Sequence, residues 1–406
     1  MDQQPSSPQL TKWSLSLLII TLGAGIFLRA WPSTGFHRVG YDEGIYTGYV
    51  RTALKEGIWS YPDIVRAYVR WQEERPDAVV PATRIGFLLP ASVLAAVGHL
   101  DPLTSLHWVS LCSSILLLFV SARIGYRLGG GAHMLLFTAL MAAAPLQIHL
   151  AQRSLIDGYF AFWAILCGWF LWESLQKPEQ KAWLFAYGAS LFILVLTKEN
   201  AAFVFLALVS TGVVFALCRL GRANAALILM TALAPALAVA VLAGLVGGIR
   251  EWIAFYSMFV QKSRLLPYPI RFQDGAWYRY LVDFMLLSPC VVALAFGALF
   301  QLRKESKPEI FWSFFLGASF VVMSSVPYGM SLRFAAYWDF PLRWLAASQV
   351  LQLARKFPRI GPAIVGTVVI LILVAVDLFQ YWRYFVHGGI YDPVSFHLLH
   401  ASKLIK

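Results

Sequence analysis

Ile85-Gly86-Phe87-Leu88-Leu89-Pro90-Ala91-Ser92-Val93-Leu94-Ala95-Ala96-Val97-Gly98-His99 is the run on which the fold turns. It is apolar, but it is about 15 residues long where a bilayer span needs roughly 20, and Pro90 interrupts it. Runs of that length read as re-entrant or interfacial. Whether this one crosses decides the side on which every later loop lies.

The composition around it sets the class. The chain has 406 residues, 59% hydrophobic and only 13% charged, too few charges to cover a soluble surface of this size. About eleven runs are long enough to span, and short alternating segments of the β-barrel kind are missing. The fold class is an all-α polytopic membrane protein of about 11 transmembrane helices, with a helical loop on the outer face after the first. That first span is read at 13–31, closed by Trp31-Pro32 because proline disfavours helix in the residue before it. It lacks a small-x-small cleavage pattern close behind, so it is read as an uncleaved span.

The loop 32–84 is the most polar stretch. It holds two amphipathic pieces, about 42–57 and 62–75, with the mixed spacing of helices that lie on a membrane surface. If 85–99 does not cross, the later spans are about 103–123, 131–151, 155–175, 182–197, 200–218, 224–248, 281–302, 309–327, 331–353 and 361–381. From a cytoplasmic N-terminus, Arg123 and Arg127, Lys177 and Lys181, Arg219 and Arg222, Arg303, Lys304 and Lys307, and Arg355, Lys356 and Arg359 then all fall inside. That is the positive-inside pattern, and it selects the non-crossing reading. It also accounts for the formal charge of +12, from 33 Lys+Arg against 21 Asp+Glu, without a nucleic-acid partner. Residues 1–353 read as one transmembrane module, with its outer loop at 32–102, and 354–406 as a last span and short outer tail. Cys112, Cys167, Cys218 and Cys290 lie inside apolar runs without C-x-x-C spacing and read as small buried hydrophobes.

The same parity gathers the unusual polar residues on the outer side. Asp42-Glu43 follows the first span, flanked by Tyr41, Gly44 and Tyr46; aromatic and glycine neighbours suit a pocket that a sugar approaches closely. Arg153 and Asp157 are four apart at a helix boundary, which an exposed i,i+4 ion pair would explain. Asp157 lies at the edge of an apolar run, however, and such charges usually face a polar cavity. Lys198-Glu199 interrupts two apolar runs, either as an interfacial turn or as a site for an anionic headgroup. The loop 249–280 adds Arg250, Lys262, Arg264, Arg271 and Asp274, and Arg333 begins a late span. Asp339 and Arg343, also i,i+4, read as a structural pair. His397 and His400 lack companion ligands for a metal. No phosphate loop, nucleophile elbow or H-E-x-x-H occurs.

On these residues the chain resembles the GT-C membrane glycosyltransferases, especially the protein O-mannosyltransferases and the bacterial lipid A aminoarabinose transferases. The acidic pair Asp42-Glu43, the element Arg153-Ser154-Leu155-Ile156-Asp157, the stretch Leu196-Thr197-Lys198-Glu199, and Arg333 ahead of Pro341 follow that family's order. The resemblance implies a polyprenyl-phosphate sugar donor, inversion at the anomeric carbon, and a lipid, glycan or protein acceptor, at the outer face of a bacterial inner membrane. It makes Asp42 the base and gives Glu43 and Asp157 supporting places in the catalytic set. It assigns the donor phosphate to Lys198 and Arg333, with Arg153 and Arg264 as further cations. No complete metal-ligand set is legible, and the family leaves a divalent metal open. The alternative is a polytopic transporter or lipid-linked sugar flippase. Those place ionisable groups near the midplane and carry paired repeats, whereas this chain shows no repeat and gathers its charges at one surface. A structural scaffold is a third reading, against which the long outer loop counts.

Overall fold

The computed structural model describes residues 12–31, 39–326 and 329–405, and every regular element among them is helical. In chain order these are α1 (Lys12–Ala30), α2 (Tyr41–Glu56), α3 (Tyr61–Glu74), α4 (Ile85–Gly98), α5 (Pro102–Ala142), α6 (Pro145–Ala151), α7 (Ile156–Gln176), α8 (Lys181–Thr197) and α9 (Ala201–Leu217). They continue with α10 (Ala225–Val246), α11 (Ile249–Ser263), α12 (Arg279–Leu287), α13 (Pro289–Leu299), α14 (Lys307–Ser324), α15 (Asp339–Ala354), α16 (Pro362–Tyr381) and α17 (Ser395–Ala401). Pro32, expected to close the first span, lies outside the described residues.

Local chemistry sets the ends. Asp101 caps α5 by accepting from the amides of Leu103 (3.0 Å) and Thr104 (3.4 Å), with Pro102 in the first turn. Asn224 caps α10 through the Leu227 amide. By length and composition, four helices among the described residues can cross a membrane: Lys12–Ala30, Pro102–Ala142, Ala225–Val246 and Pro362–His387. At 41 residues, α5 would be about 60 Å long if straight, twice a bilayer core. It doubles back at Gly130, whose φ of 78° only glycine adopts readily. A Cβ on Gly125 would lie 2.9 Å from the Met134 Cα, which is the close approach of two antiparallel arms. The two spans expected at 103–123 and 131–151 are these arms, the second continued by α6.

The stretch that opened the analysis is α4, 14 residues with Pro90 inside and so about 21 Å long, shorter than a bilayer core of roughly 30 Å. It packs on α2, α5 and α8; a Cβ on Gly86 would meet the Thr197 backbone at 2.8 Å. The amphipathic pieces are present as α2 and α3, but their apolar faces turn onto protein. Tyr46, Val50, Tyr61, Val65 and Tyr68 are buried in one cluster with Phe87 of α4 and Phe255 of α11.

Buried polar residues lock the larger cluster. Arg29 of α1 donates to Ser114 Oγ (3.0 Å) and to the carbonyls of Met141 (2.8 Å) and Ala142 (3.0 Å), satisfying an otherwise costly charge. Asp339 and Arg343 do pair, at 3.3 Å, and Arg343 also bonds Asp377 of α16. All four cysteines are free. Only Cys167 is buried; Cys112, on an outward face of α5, and Cys218, in the turn that ends α9, were expected inside and are exposed.

Candidate active site

Six segments from distant parts of the chain enclose a cavity of about 800 Å³. They are the start of α2, the loop before α4, the turn after α8, the end of α11 with its following loop, the segment around 329–334, and the tail at 391–397. Asp42, Arg84, Lys198, Glu199, Arg333 and Asp392 are the charged residues on its wall that matter most.

Arg333 is the hub. It sits in a 3-10 turn, Leu332–Trp338, that precedes α15. Its Nη1 lies 3.1 Å from Asp42 Oδ2 and 3.9 Å from Asp157 Oδ2, and its Nε lies 3.1 Å from Asp392 Oδ1. Asp157, in the first turn of α7, also accepts from Lys198 Nζ at 2.6 Å. Lys198 lies in the turn between α8 and α9, over the Phe334 ring at 4.0 Å. Burial pulls its ammonium below lysine's ordinary range, and Asp157 offsets only part of that. Arg84 forks onto Glu199 and reaches the Tyr46 hydroxyl. Arg333 and the Lys198 side chain are almost wholly buried, while Asp42 keeps 23% of its side chain exposed, so the carboxylate is reachable from the cavity.

Of the residues expected at the site, the fold brings Asp42, Asp157, Lys198 and Arg333 together. Three others lie elsewhere. Glu43 points off the cavity wall: it accepts from Arg153 Nη2 (2.6 Å), the Ser154 amide (2.8 Å) and the Gly40 amide (2.6 Å). A carboxylate so saturated is a structural tie, and Arg153 is its counter-ion rather than a partner of Asp157. Arg264 caps the C-terminus of α11 on an exposed face and does not line the cavity. Successive residues on a helix face different directions, so Asp42 and Glu43 separate into cavity and core.

The reading from sequence missed Arg84 and the tail. Arg84 stands just before the α4 stretch, and a charge at the mouth of so apolar a run was the available signal. Asp392 carried none, because it sits in an unremarkable Tyr-Asp-Pro segment after the last span. Burial alone would raise its carboxyl. The adjacent Arg333, with hydrogen bonds from Ser331, Gln273 and Tyr268, holds it below the usual aspartate range.

No family model matches the chain, and no curated protein matches it. Solved structures do. ArnT from Cupriavidus metallidurans in the apo state aligns over 96% of this chain and 77% of its own, at 17% identity and a TM-score of 0.56. The same protein bound to undecaprenyl phosphate aligns over 97% and 78%, at 15% identity and a TM-score of 0.57. The fold is that of the GT-C membrane glycosyltransferases. The archaeal oligosaccharyltransferase AglB from Archaeoglobus fulgidus, in complex with an inhibitory peptide and a dolichol-phosphate, has this GT-C fold too. It matches 93% of this chain but 56% of its own, at 11% identity and a TM-score of 0.59. The chain therefore spans little more than half of AglB. At these identities the GT-C likeness is one of fold, and it agrees with an integral membrane protein built from apolar helices.

Proposed function

We propose that the chain is an inverting glycosyltransferase that moves a hexosyl or pentosyl unit from a polyprenyl-phosphate donor to a lipid, glycan or protein acceptor. The observation that carries the reading is the meeting of Asp42, Arg333 and Lys198 on one cavity, the first carboxylate partly exposed and the cations buried. Asp42 takes the proton from the acceptor hydroxyl as the new glycosidic bond forms. The lipid phosphate departs as an anion, and preorganised cations lower the barrier to its departure. Arg333 and Lys198 supply that charge, and an ammonium carries three donors of which Asp157 engages one. Asp157 holds both cations in register. One base and no covalent intermediate give inversion. Undecaprenyl phosphate in ArnT and dolichol-phosphate in AglB are the kind of leaving group this cavity suits.

These steps use this chain's own side chains, and the divalent metal that the resemblance leaves open is assigned no part in them. Among the described residues no group of three metal-ligating side chains converges, and Asp42, Asp157 and Asp392 each face a cation.

The topology that goes with this reading has about eleven crossings, α4 dipping without crossing, and the cavity on the outer face of a bacterial inner membrane. The catalytic module is 1–353, completed by tail residues. The test is to incubate purified protein with a panel of polyprenyl-phosphate sugars and an acceptor extract, and to follow free polyprenyl phosphate. Release that depends on acceptor is expected. No release with any donor, or sugar translocated intact across a vesicle, would refute the reading.

A further inference from the structure

The tail beyond the last long helix turns back into the site. After the π turn Trp382–His387, the chain runs across the base of the cavity before α17 begins. Tyr391 lies under two guanidinium groups, 4.6 Å from Arg153 and 5.4 Å from Arg333, ring centroid to Cζ. Its carbonyl faces His149 Nε2 at 3.0 Å. The Leu332 amide reaches the Pro393 carbonyl at 3.4 Å, and the Met330 amide the Gln273 carbonyl at 2.8 Å. Three separate segments thus meet around the turn that carries Arg333.

Asp392 stands at their centre. Its Oδ2 accepts from Tyr268 (3.0 Å) and from Gln273 Nε2 (2.9 Å), and its Oδ1 accepts from Ser331. The side chain is 4% exposed. With that many donors fixed around it, the carboxylate cannot swing. Its Oδ1 lies 3.1 Å from Arg333 Nε as an ion pair without hydrogen-bond alignment, while Nη1 bonds Asp42. A guanidinium is a rigid planar fork, so fixing one edge fixes the direction of the others.

We propose that Asp392 is a positioning residue for the transfer, a tail carboxylate that orients the Arg333 guanidinium toward Asp42 and the departing phosphate. This rests on the glycosyltransferase reading above. Asp392 touches neither reacting group and acts through Arg333. It also ties the loop after α11, by way of Tyr268 and Gln273, to the residue that meets the leaving group.

The test is steady-state kinetics on full-length protein in detergent or nanodiscs, with a donor that the wild type uses. Asp392→Asn keeps the size and an acceptor oxygen but removes the charge that holds Nε. Expected is a fall in kcat of about 10- to 100-fold with donor KM within about threefold, because misplacement acts on the transition state. In an Arg333→Lys background, which has no planar fork to orient, the same substitution costs at least about tenfold less than in wild type. A purely structural role would lower the folded fraction and leave kcat per folded molecule unchanged, or give additive losses; either result overturns the proposal. Should Asp392→Asn not fold, Tyr268→Phe carries the test: kcat lower by about three- to tenfold at constant KM supports it, and an unchanged kcat overturns it. If Asp42→Asn is inactive while Asp392→Asn and Tyr268→Phe are fully active, this proposal falls and the enzyme assignment stands. If the wild type transfers no sugar from any donor, both fall.

Discussion

Asp42 and Arg333 are 291 positions apart in the chain, and the Arg333 Nη1 lies 3.1 Å from the Asp42 carboxylate. The pair joins the first helix of the outer loop to the turn before α15, and it spans the cavity wall. In the proposed reaction this fixes the acceptor's base and the cation for the departing phosphate against each other before any substrate arrives, which is the preorganisation that electrostatic catalysis needs.

Removing the base while keeping its shape gives the sharpest prediction. Asp42→Asn should lower transfer by roughly 10²- to 10⁴-fold, the range of general-base catalysis, with expression, thermal midpoint and donor binding near wild type. Binding of a fluorescent polyprenyl phosphate, measured beside turnover, checks this. Wild-type turnover in that variant would remove Asp42 from the mechanism.

Glu43 should behave in the opposite way. Its three donors make it a tie between α2 and the turn before α7. Glu43→Gln leaves Arg153 buried beside a neutral group, at a cost of about 3 kcal/mol. A lower thermal midpoint is expected, with kcat of the folded protein changed by less than about tenfold. A kcat loss equal to that of Asp42→Asn, at unchanged stability, would contradict this division of labour.

Gly40→Ala should disturb the site from a distance. A Cβ at that position would fall 2.1 Å from Cζ of the Tyr391 ring, closer than any real contact. The Tyr391 ring must shift, and overpacking of this kind costs about 1–3 kcal/mol. Both the thermal midpoint and kcat should fall, since that ring packs under Arg153 and Arg333. Ala at Gly44, where no neighbour lies within 4 Å, serves as the control.

Lys198 gives a pH prediction. Its ammonium sits below the usual lysine value of 10.5 because it is buried, so it loses its proton as pH rises through that lowered value. On the alkaline side kcat/KM should therefore decline before pH 10.5, as the donor phosphate loses a cation. Since the fold disfavours the charged form, the contribution of Lys198 to stability rises over the same window, and the decline is not unfolding. Lys198→Arg, which stays charged, should move the limb upward; a limb that stays put assigns it to another group.

Opposite loops should also share a side. Single cysteines placed beside Asp42 and beside Asp157 are expected to react alike with an impermeant maleimide added to intact cells. Opposite accessibility would refute the topology in which α4 does not cross.

Much of this was legible before any coordinates. The apolar runs and their basic connections implied a helical membrane protein, because lipid admits only backbones that satisfy their own hydrogen bonds and because charge in short loops sets orientation. The run at 85–99 was readable as a short helix interrupted by proline, since length is local information. Asp42, Asp157, Lys198 and Arg333 were likewise visible as charged residues at the ends of apolar runs.

Tertiary structure alone decided which of those residues meet. Asp42 and Glu43 look equivalent in the sequence, yet one faces the cavity and its neighbour faces Arg153, because each step along a helix rotates the side chain by about 100°. Arg153 and Asp157 have the spacing of an ion pair, but each finds a different partner across the bundle. Arg84 and Asp392 join the site because α4 packs back on α8 and the tail folds under Arg333. Such contacts depend on which faces pack together, and no spacing along the chain records that.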